Sequence, residues 1–368
     1  MMKKFNHFYY LFLFFLYLSA FSFLSQADYN HIPNKTIGDT ATFLQVKQRF
    51  NASTPQGVKG LKVKGSSAAQ IKSRLTSFLF KGRSQGLVQT ALESLDLSDS
   101  NITDEGLKDL VGFIQEHFPK IKELDLIWNK IGADGADHLK QLTRLEKLTL
   151  SRNNIGDEGA AHLKTLNHLK ELNMNSSQIG ADGATHLKQL TQLEILSMNG
   201  NSIGDEGAAQ LTKLSQLKEL NLSENKISDE GVAQLTKLSQ LKKLNLSLNN
   251  IGSAGAHDVA QLTQLKWLDL SQNKLGAVGA AHLKRLTQLE TLNLSQNNIG
   301  DEGVAHLSAL TQLKSLDLSG NNISDESVVQ LKKLTQLKSL NLGWNNKIST
   351  ASIQALKKAL RGTLIFRK

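Results

Sequence analysis

From Leu92 onward the apolar and polar positions of the chain follow a fixed frame. An apolar residue opens each unit, at Leu92, Ile121, Leu145, Leu169, Leu193, Leu217, Leu241, Leu265, Leu289, Leu313 and Leu337; the first step is 29 residues and each later one 24. The unit 217–240 reads LKELNLSENKISDEGVAQLTKLSQ. Its L-x-x-L-x-L alternation predicts a short strand with every second side chain buried. Asn stands eight residues after the opening in nine units: Asn129, Asn153, Asn201, Asn225, Asn249, Asn273, Asn297, Asn321 and Asn345, with Ser100 and Ser177 in the other two. A side-chain amide there can bond backbone groups freed where the strand turns, and stacked copies can bond one another. Thr103, Ser228 and Ser324 occupy a site that other units give to Gly, which marks a helix N-cap. The Asp and Glu that follow sit in the first helical turn, where they complement the helix dipole. Leucines such as Leu235 and Leu238 then turn the helix back onto the strands.

The pattern L-x-x-L-x-L-x-x-N-x-I-G-x-x-G-A-x-x-L resembles the leucine-rich repeat. It is most similar to the ribonuclease-inhibitor-like class and its short bacterial 24-residue form, the GALA repeat. The match runs over 92–360. The resemblance implies an α/β solenoid shaped as a horseshoe, with parallel strands on the concave face and α-helices on the convex one. Strands about 4.8 Å apart against helices about 10 Å apart impose that curvature, and eleven strands give a concave surface roughly 50 Å long. The last unit, LKSLNLGWNNKISTASIQALKKAL, carries one extra residue before Ile348 and lacks the glycine. It reads as the C-terminal end, with 361–368 as a closing strand.

The segments ahead of the repeats differ in character. Residues 1–27 join Lys3 and Lys4 to an apolar core, FYYLFLFFLYL, and small residues at SQA. This is the layout of a secretory signal peptide; the competing reading is an uncleaved anchor over 5–24. Both orient the repeats outside the cytoplasm, as a secreted, periplasmic or cell-surface protein. Residues 28–66 read as a basic, flexible linker, with 51–67 rich in Gly and Ser. Residues 67–91 read as an N-terminal helical cap, since Ile71, Leu75, Phe78 and Leu79 fall on one helical face.

Charge changes the picture of partners. The formal +10 is concentrated in 28–91, which holds ten Lys/Arg against two Asp; residues 92–368 hold 31 of each sign. The repeats therefore carry no electrostatic reason to bind nucleic acid, whereas 28–91 suits contact with an anionic surface, or simple solvation. The chain has no cysteine, so thiolate metal sites, cysteine nucleophiles and RING or thioester ubiquitin ligases are out. His138, His162, His186, His282 and His306 form one helical column, but helices about 8–10 Å apart hold neighbouring rings too far from one another to share a metal. No cofactor is expected, and no catalytic residue. The NLS triplets at 221, 245 and 293 match a glycosylation motif that the repeat itself generates.

Side chains two, four and six residues after each opening point outward, with the seventh at the rim. All three tryptophans fall there: Trp128, Trp267 and Trp344. Ile127 adjoins Trp128, Arg152 follows it in the same column, and Leu248 precedes Trp267 by one strand. Exposed Trp and Arg anchor protein interfaces. The expected function is an exported, non-enzymatic module gripping a protein partner with its concave face. The alternative is an F-box-like adaptor, or a host-directed effector, recruiting ubiquitin-ligase machinery. It rests on IPNKTIGDTATFLQVKQRFN at 32–51, which echoes an F-box opening and closing but is short in the middle.

Overall fold

The computed structural model describes residues 36–37, 59–84 and 92–367. The expected leader, or anchor, and most of the segment up to 58 lie outside these residues. The strands are β1 (Thr36–Ile37), β2 (Gly60–Val63), β3 (Ser94–Asp96), β4 (Glu123–Asp125), β5 (Lys147–Thr149), β6 (Glu171–Asn173) and β7 (Ile195–Ser197). They continue as β8 (Glu219–Asn221), β9 (Lys243–Asn245), β10 (Trp267–Asp269), β11 (Thr291–Asn293), β12 (Ser315–Asp317), β13 (Ser339–Asn341) and β14 (Leu364–Phe366). Between them lie α1 (Ala68–Ser84), α2 (Asp104–His117), α3 (Ala133–Leu139), α4 (Gly156–His162), α5 (Ala181–Leu187) and α6 (Gly204–Leu211). The remaining helices are α7 (Asp229–Leu235), α8 (Ser253–Val259), α9 (Gly276–His282), α10 (Gly300–Leu307), α11 (Val328–Leu331) and α12 (Thr350–Ala359).

All fourteen strands pair in parallel, in chain order, in one open sheet. Register steps by one repeat, so Leu220 lies between Leu196 and Leu244. Each helix packs on the next. The result is the α/β leucine-rich-repeat horseshoe, with the core between sheet and helices. Leu217, Leu220, Leu222, Ile227, Val232, Leu235 and Leu238 of one unit are all buried, and the same columns are buried along the array. Helix α7 ends at Leu235, so Leu238 fills the core from the turn beyond it, held by its N–H on the Leu235 carbonyl at 3.0 Å. The 29-residue first step is taken up by α2, twice the usual helix length, which buries Phe113, Ile114 and, at its C-cap, Phe118.

The segment 51–67, expected as flexible, contains β2. Leu61 and Val63 bury their side chains in register behind β3, Leu61 opposite Leu95. With only two apolar residues between glycines and lysines, GLKVKG carries a weak strand signal; pairing with β3 supplies what the local pattern lacks. Helix α1 buries Ile71, Leu75 and Leu79 and packs on α2. Strand and helix together form a divergent repeat-like unit rather than a helical cap alone.

The asparagine column works through the backbone. Asn129 accepts the Ser100 and Ile102 N–H groups at 3.2 and 2.9 Å and donates to the Leu97 and Leu126 carbonyls at 3.1 and 2.9 Å. Asn153, Asn201, Asn225, Asn249, Asn273, Asn297, Asn321 and Asn345 likewise join backbone groups of two consecutive units. These amides bridge main chain to main chain. Among the described residues no buried side-chain N or O lacks a partner.

The helix starts come in two forms, set by the preceding repeat. Where that repeat has Asp directly after its own cap, the carboxylate accepts the next cap's N–H. The pairs are Asp104–Gly132, Asp157–Gly180, Asp205–Ser228, Asp229–Gly252, Asp301–Ser324 and Asp325–Ser349, at 2.6–2.9 Å. These caps are extended, with φ −105° at Ser228. Where the preceding residue is Ala133, Ala181, Ser253 or Ala277, the equivalent position of the next repeat is Gly156, Gly204, Gly276 or Gly300. Each is drawn into its helix as the first residue, with the cap moved back to Ile155, Ile203, Leu275 or Ile299, and all four glycines lie at φ near +60°. Their N–H groups turn instead to a carbonyl of the following unit, as Gly276 does to Asn297 at 3.1 Å. Only the second form needs glycine. The hydroxyls of Thr103, Ser228 and Ser324 also accept from the first helical turn, from the N–H groups of Gly106, Glu230 and Glu326.

Candidate functional site

Three outward columns and a rim build the concave face, and they differ in what they leave available. In most of the fourth-residue column, Thr149 and Ser197 apart, a side-chain oxygen is bound to backbone. Asp125 accepts the Ile127 N–H at 2.9 Å, and Asn221, Asn245, Asp269, Asn293, Asp317 and Asn341 accept the N–H two residues on at 2.8–3.0 Å. This column therefore ends the strands. Burial pushes the Asp125 carboxyl up to about 6, with the Asp96 charge adding to burial while the Ile127 N–H and Lys62 and Lys147 oppose it. Burial raises Asp269 too, against hydrogen bonds from Ser271 and Asn293. Lys62 of β2 reaches Asp96 at 2.5 Å, which neutralises one basic group of the 28–91 segment within the fold.

The second-residue column and the strand-start rim are laced by charge pairs between neighbouring units. Lys147 meets Glu171 and Lys243 meets Glu219, each at 2.8 Å; Glu146 bridges Lys122 and Lys170 at 3.0 and 2.7 Å. Trp267 lies half-buried in this column, in register with Lys243 and Thr291.

The seventh-residue rim is conformationally unusual. Its residue is left-handed in every unit, from Asp99 through Trp128 (φ +60°), Arg152 (+57°), Leu248 (+55°) and Trp344 (+58°), with Gly200 and Gly320 in the same column. The backbone is pinned: the Trp128 N–H donates to Ser151 O at 2.9 Å and the Arg152 N–H to Asn175 O at 2.8 Å. An L-residue in this region costs about 1–2 kcal/mol over an ordinary conformation. Trp128 bears that strain while 59% exposed, and the Arg152 guanidinium lies 5.0 Å from its ring centroid. The sheet thus brings Trp128 and Arg152 together in a cation–π pair with half-buried Ile127 beside them. It does not gather the rest. Leu248, 38% exposed, and Trp267 sit on separate columns of the array's middle; Trp344, 77% exposed, stands at its far end. Two further exposed residues at that end, Leu364 and Phe366 of β14, give no signal in the repeat pattern because the closing strand lies outside the 24-residue frame.

The helical histidines need a correction. Side chains cross the gap between adjacent helices: the His257 and His282 rings meet edge-on with centroids 4.9 Å apart, and His162 Nδ1 is 3.0 Å from Asp137. Backbone spacing alone does not keep neighbouring groups apart. Among the described residues no three His, Cys, Asp or Glu side chains gather where a metal could bind. Among them, too, no helix is long and apolar enough to cross a membrane.

Models of the leucine-rich repeat match 89–111, 119–139, 141–164, 165–188 and 189–211, then 215–275 and 263–323, and, for a two-copy form, 311–358. The chain belongs to the leucine-rich-repeat family, whose solenoids are protein-interaction scaffolds and typically not enzymes. Among solved structures it is similar to an internalin, InlF, from Listeria monocytogenes, at 27% identity over 68% of this chain and 80% of that one, with a TM-score of 0.48. Internalin C2 of the same organism matches at 30% identity over 56% and 83%, TM-score 0.45. A TDR receptor matches at 20% identity over 73% of this chain but 49% of its own length, TM-score 0.49. A search of curated proteins returned no match.

Proposed function

We propose that this protein is an exported, non-enzymatic scaffold that grips a protein partner through its concave face, with Trp128 and Arg152 as the anchor. One observation carries the anchor: a large aromatic ring held exposed on a left-handed backbone and stacked by a guanidinium. The ring–guanidinium contact orders the two side chains on each other before binding, so less side-chain entropy remains to be lost on association. Most of the fourth column is committed to the strands, which leaves the rim, the sixth column with Ile127, and Trp267 of the second column to make contacts. Export is supported by the charged start, apolar core and small-residue exit of residues 1–27. The basic stretch 28–91 is proposed to add contact with an anionic surface.

The N-terminus and location of the mature protein test export. A soluble chain outside the cytoplasm, beginning at Asp28, is the expected result; an intact chain in the cytosol overturns it. The anchor is tested with a partner cross-linked to the wild-type chain. Trp128→Ala should weaken that partner's binding by about 2 kcal/mol, close to thirtyfold in Kd. Unchanged affinity in Trp128→Ala and Arg152→Ala removes the pair from the interface.

A further inference from the structure

The neutral total of the repeats hides a strong polarity. Residues 92–326 hold 22 basic and 31 acidic residues, whereas 327–368 hold nine Lys/Arg and no Asp or Glu. That basic stretch builds the last helices and strands, and the two layers of the solenoid end there differently. The helix layer is closed. α12 turns Ile353 and Leu356 inward, Leu360 is buried just beyond it, and Gln354, Lys357, Lys358 and Arg361 are exposed. The sheet layer is open among the described residues. β14 has β13 as its one neighbour among the described residues. The Leu364 N–H donates to Lys338 O at 2.9 Å, and Phe366 O accepts the Leu342 N–H at 2.8 Å. Alternate residues of a strand direct their backbone groups to opposite sides, so Ile365 turns its N–H and C=O to the free edge.

Edge strands are commonly blunted by Lys or Pro. This one is Leu-Ile-Phe, with Leu364 65% and Phe366 53% exposed on the concave side. It is also held in place: Arg367 donates to Thr350 Oγ1 and the Ile348 carbonyl, both at 2.8 Å. At the opposite end of the same sheet an extended segment occupies the equivalent place, Thr36–Ile37 pairing with Lys62–Val63.

We propose that β14 is a docking edge for an acidic, extended segment of a partner protein, which adds as a further strand. Ile365 supplies the backbone bonds. The segment alternates: apolar side chains lie beside Leu364 and Phe366 on the concave side, and carboxylates face Lys357, Lys358 and Arg361 on the helix side. Charge selects this occupant over a second copy of the chain. Two copies of 327–368 would bring nine positive charges against nine, and the stretch 28–91 is itself net positive. The site is separate from the Trp128 anchor and stands or falls without it.

The test uses the full chain and a fluorescein-labelled heptapeptide of alternating Glu and Val, followed by anisotropy. Saturable binding is expected, at least tenfold weaker for the Lys357→Glu/Lys358→Glu double variant and for the peptide N-methylated at alternate residues. Phe366→Ser should weaken binding while leaving the fold's circular dichroism unchanged. Equal binding of the N-methylated peptide, or of one with its Glu and Val residues in separate blocks, would reduce the effect to diffuse ion attraction and overturn the proposal. So would binding to phosphatidylserine vesicles with none to the peptide, or self-association abolished by Phe366→Ser.

Discussion

Carboxylates on the helix-start side of the solenoid and carboxylates on its concave face repeat at the same 24-residue interval yet experience opposite surroundings. Asp301 shows the first case. Burial pushes its carboxyl up, but hydrogen bonds from Ser324 and Ser327 outweigh burial and hold it below the usual range. Asp325 is lowered by hydrogen bonds from Ser352 and the Ser349 N–H. Asp125 shows the second: burial dominates, its single backbone donor is outweighed, and Asp96 lies on the neighbouring strand. A charge that meets N–H and O–H donors fastens one repeat to the next; the same charge set in a row of acceptors is a standing penalty. The sequence period does not distinguish them. Donor count does.

The largest expected effect is on the fastening side. Asp205→Ala deprives the Ser228 N–H of its acceptor at 2.8 Å and leaves the hydroxyl, 2.7 Å from Asp205, only Glu230, and should destabilise by about 1–3 kcal/mol. Hydrogen exchange should rise first around Ser228, because repeat arrays open locally. Asp205→Asn keeps an acceptor and should lose much less; equal losses would mean the carboxylate acts through charge alone. Next comes the other helix start. Gly276→Ser forces a side chain onto φ +62° in open space and should lose about 1–2 kcal/mol. Adding Ser253→Asp should recover most of that loss, since an Asp there can capture the cap N–H and release it to the extended form. No recovery in urea denaturation would break the rule that the preceding repeat sets the cap.

The smallest effect lies on the concave face and has the opposite sign. Asp125 binds a proton near pH 6 when folded and near pH 4 when unfolded, so between these values the folded state holds more protons. Stability therefore falls as pH rises through that window and stays reduced above it. Asp125→Asn, the residue that five other units carry in this column, should raise stability at pH 7.5 by about 1 kcal/mol and flatten the drop between pH 4 and 6. Loss of stability in this variant would show that the charge is used, not tolerated.

Much of the architecture was legible because burial imposes it on every unit alike. The L-x-x-L-x-L strands, the asparagine turn and the helix caps each recur at fixed positions, and averaging over units strengthens them. The same averaging erased the two helix starts. Whether Gly or Ser can stand at a cap depends on the residue 23 positions earlier, as with Asp205 and Ser228, which is a relation between units rather than a property of one. The strand at Gly60–Val63 was lost for a related reason, since its pairing partner lies 34 residues on. Within the candidate site, the outward placement of Trp128 and Arg152 followed from the period. Their left-handed backbone did not, although Gly200 and Gly320 in the same column were a signal of it.

The two helix starts also make the array directional in a way that bears on how such genes change by losing whole repeats. A glycine cap accepts either predecessor; a serine cap requires an aspartate behind it. Excision of 169–192 would set Gly204 behind Asp157, a permitted junction. Excision of 193–216 would set Ser228 behind Ala181, leaving its amide without a carboxylate and its side chain barred from the alternative. Units of identical length and nearly identical composition are thus unequal currency for recombination: the chain has a syntax, and only some deletions are grammatical.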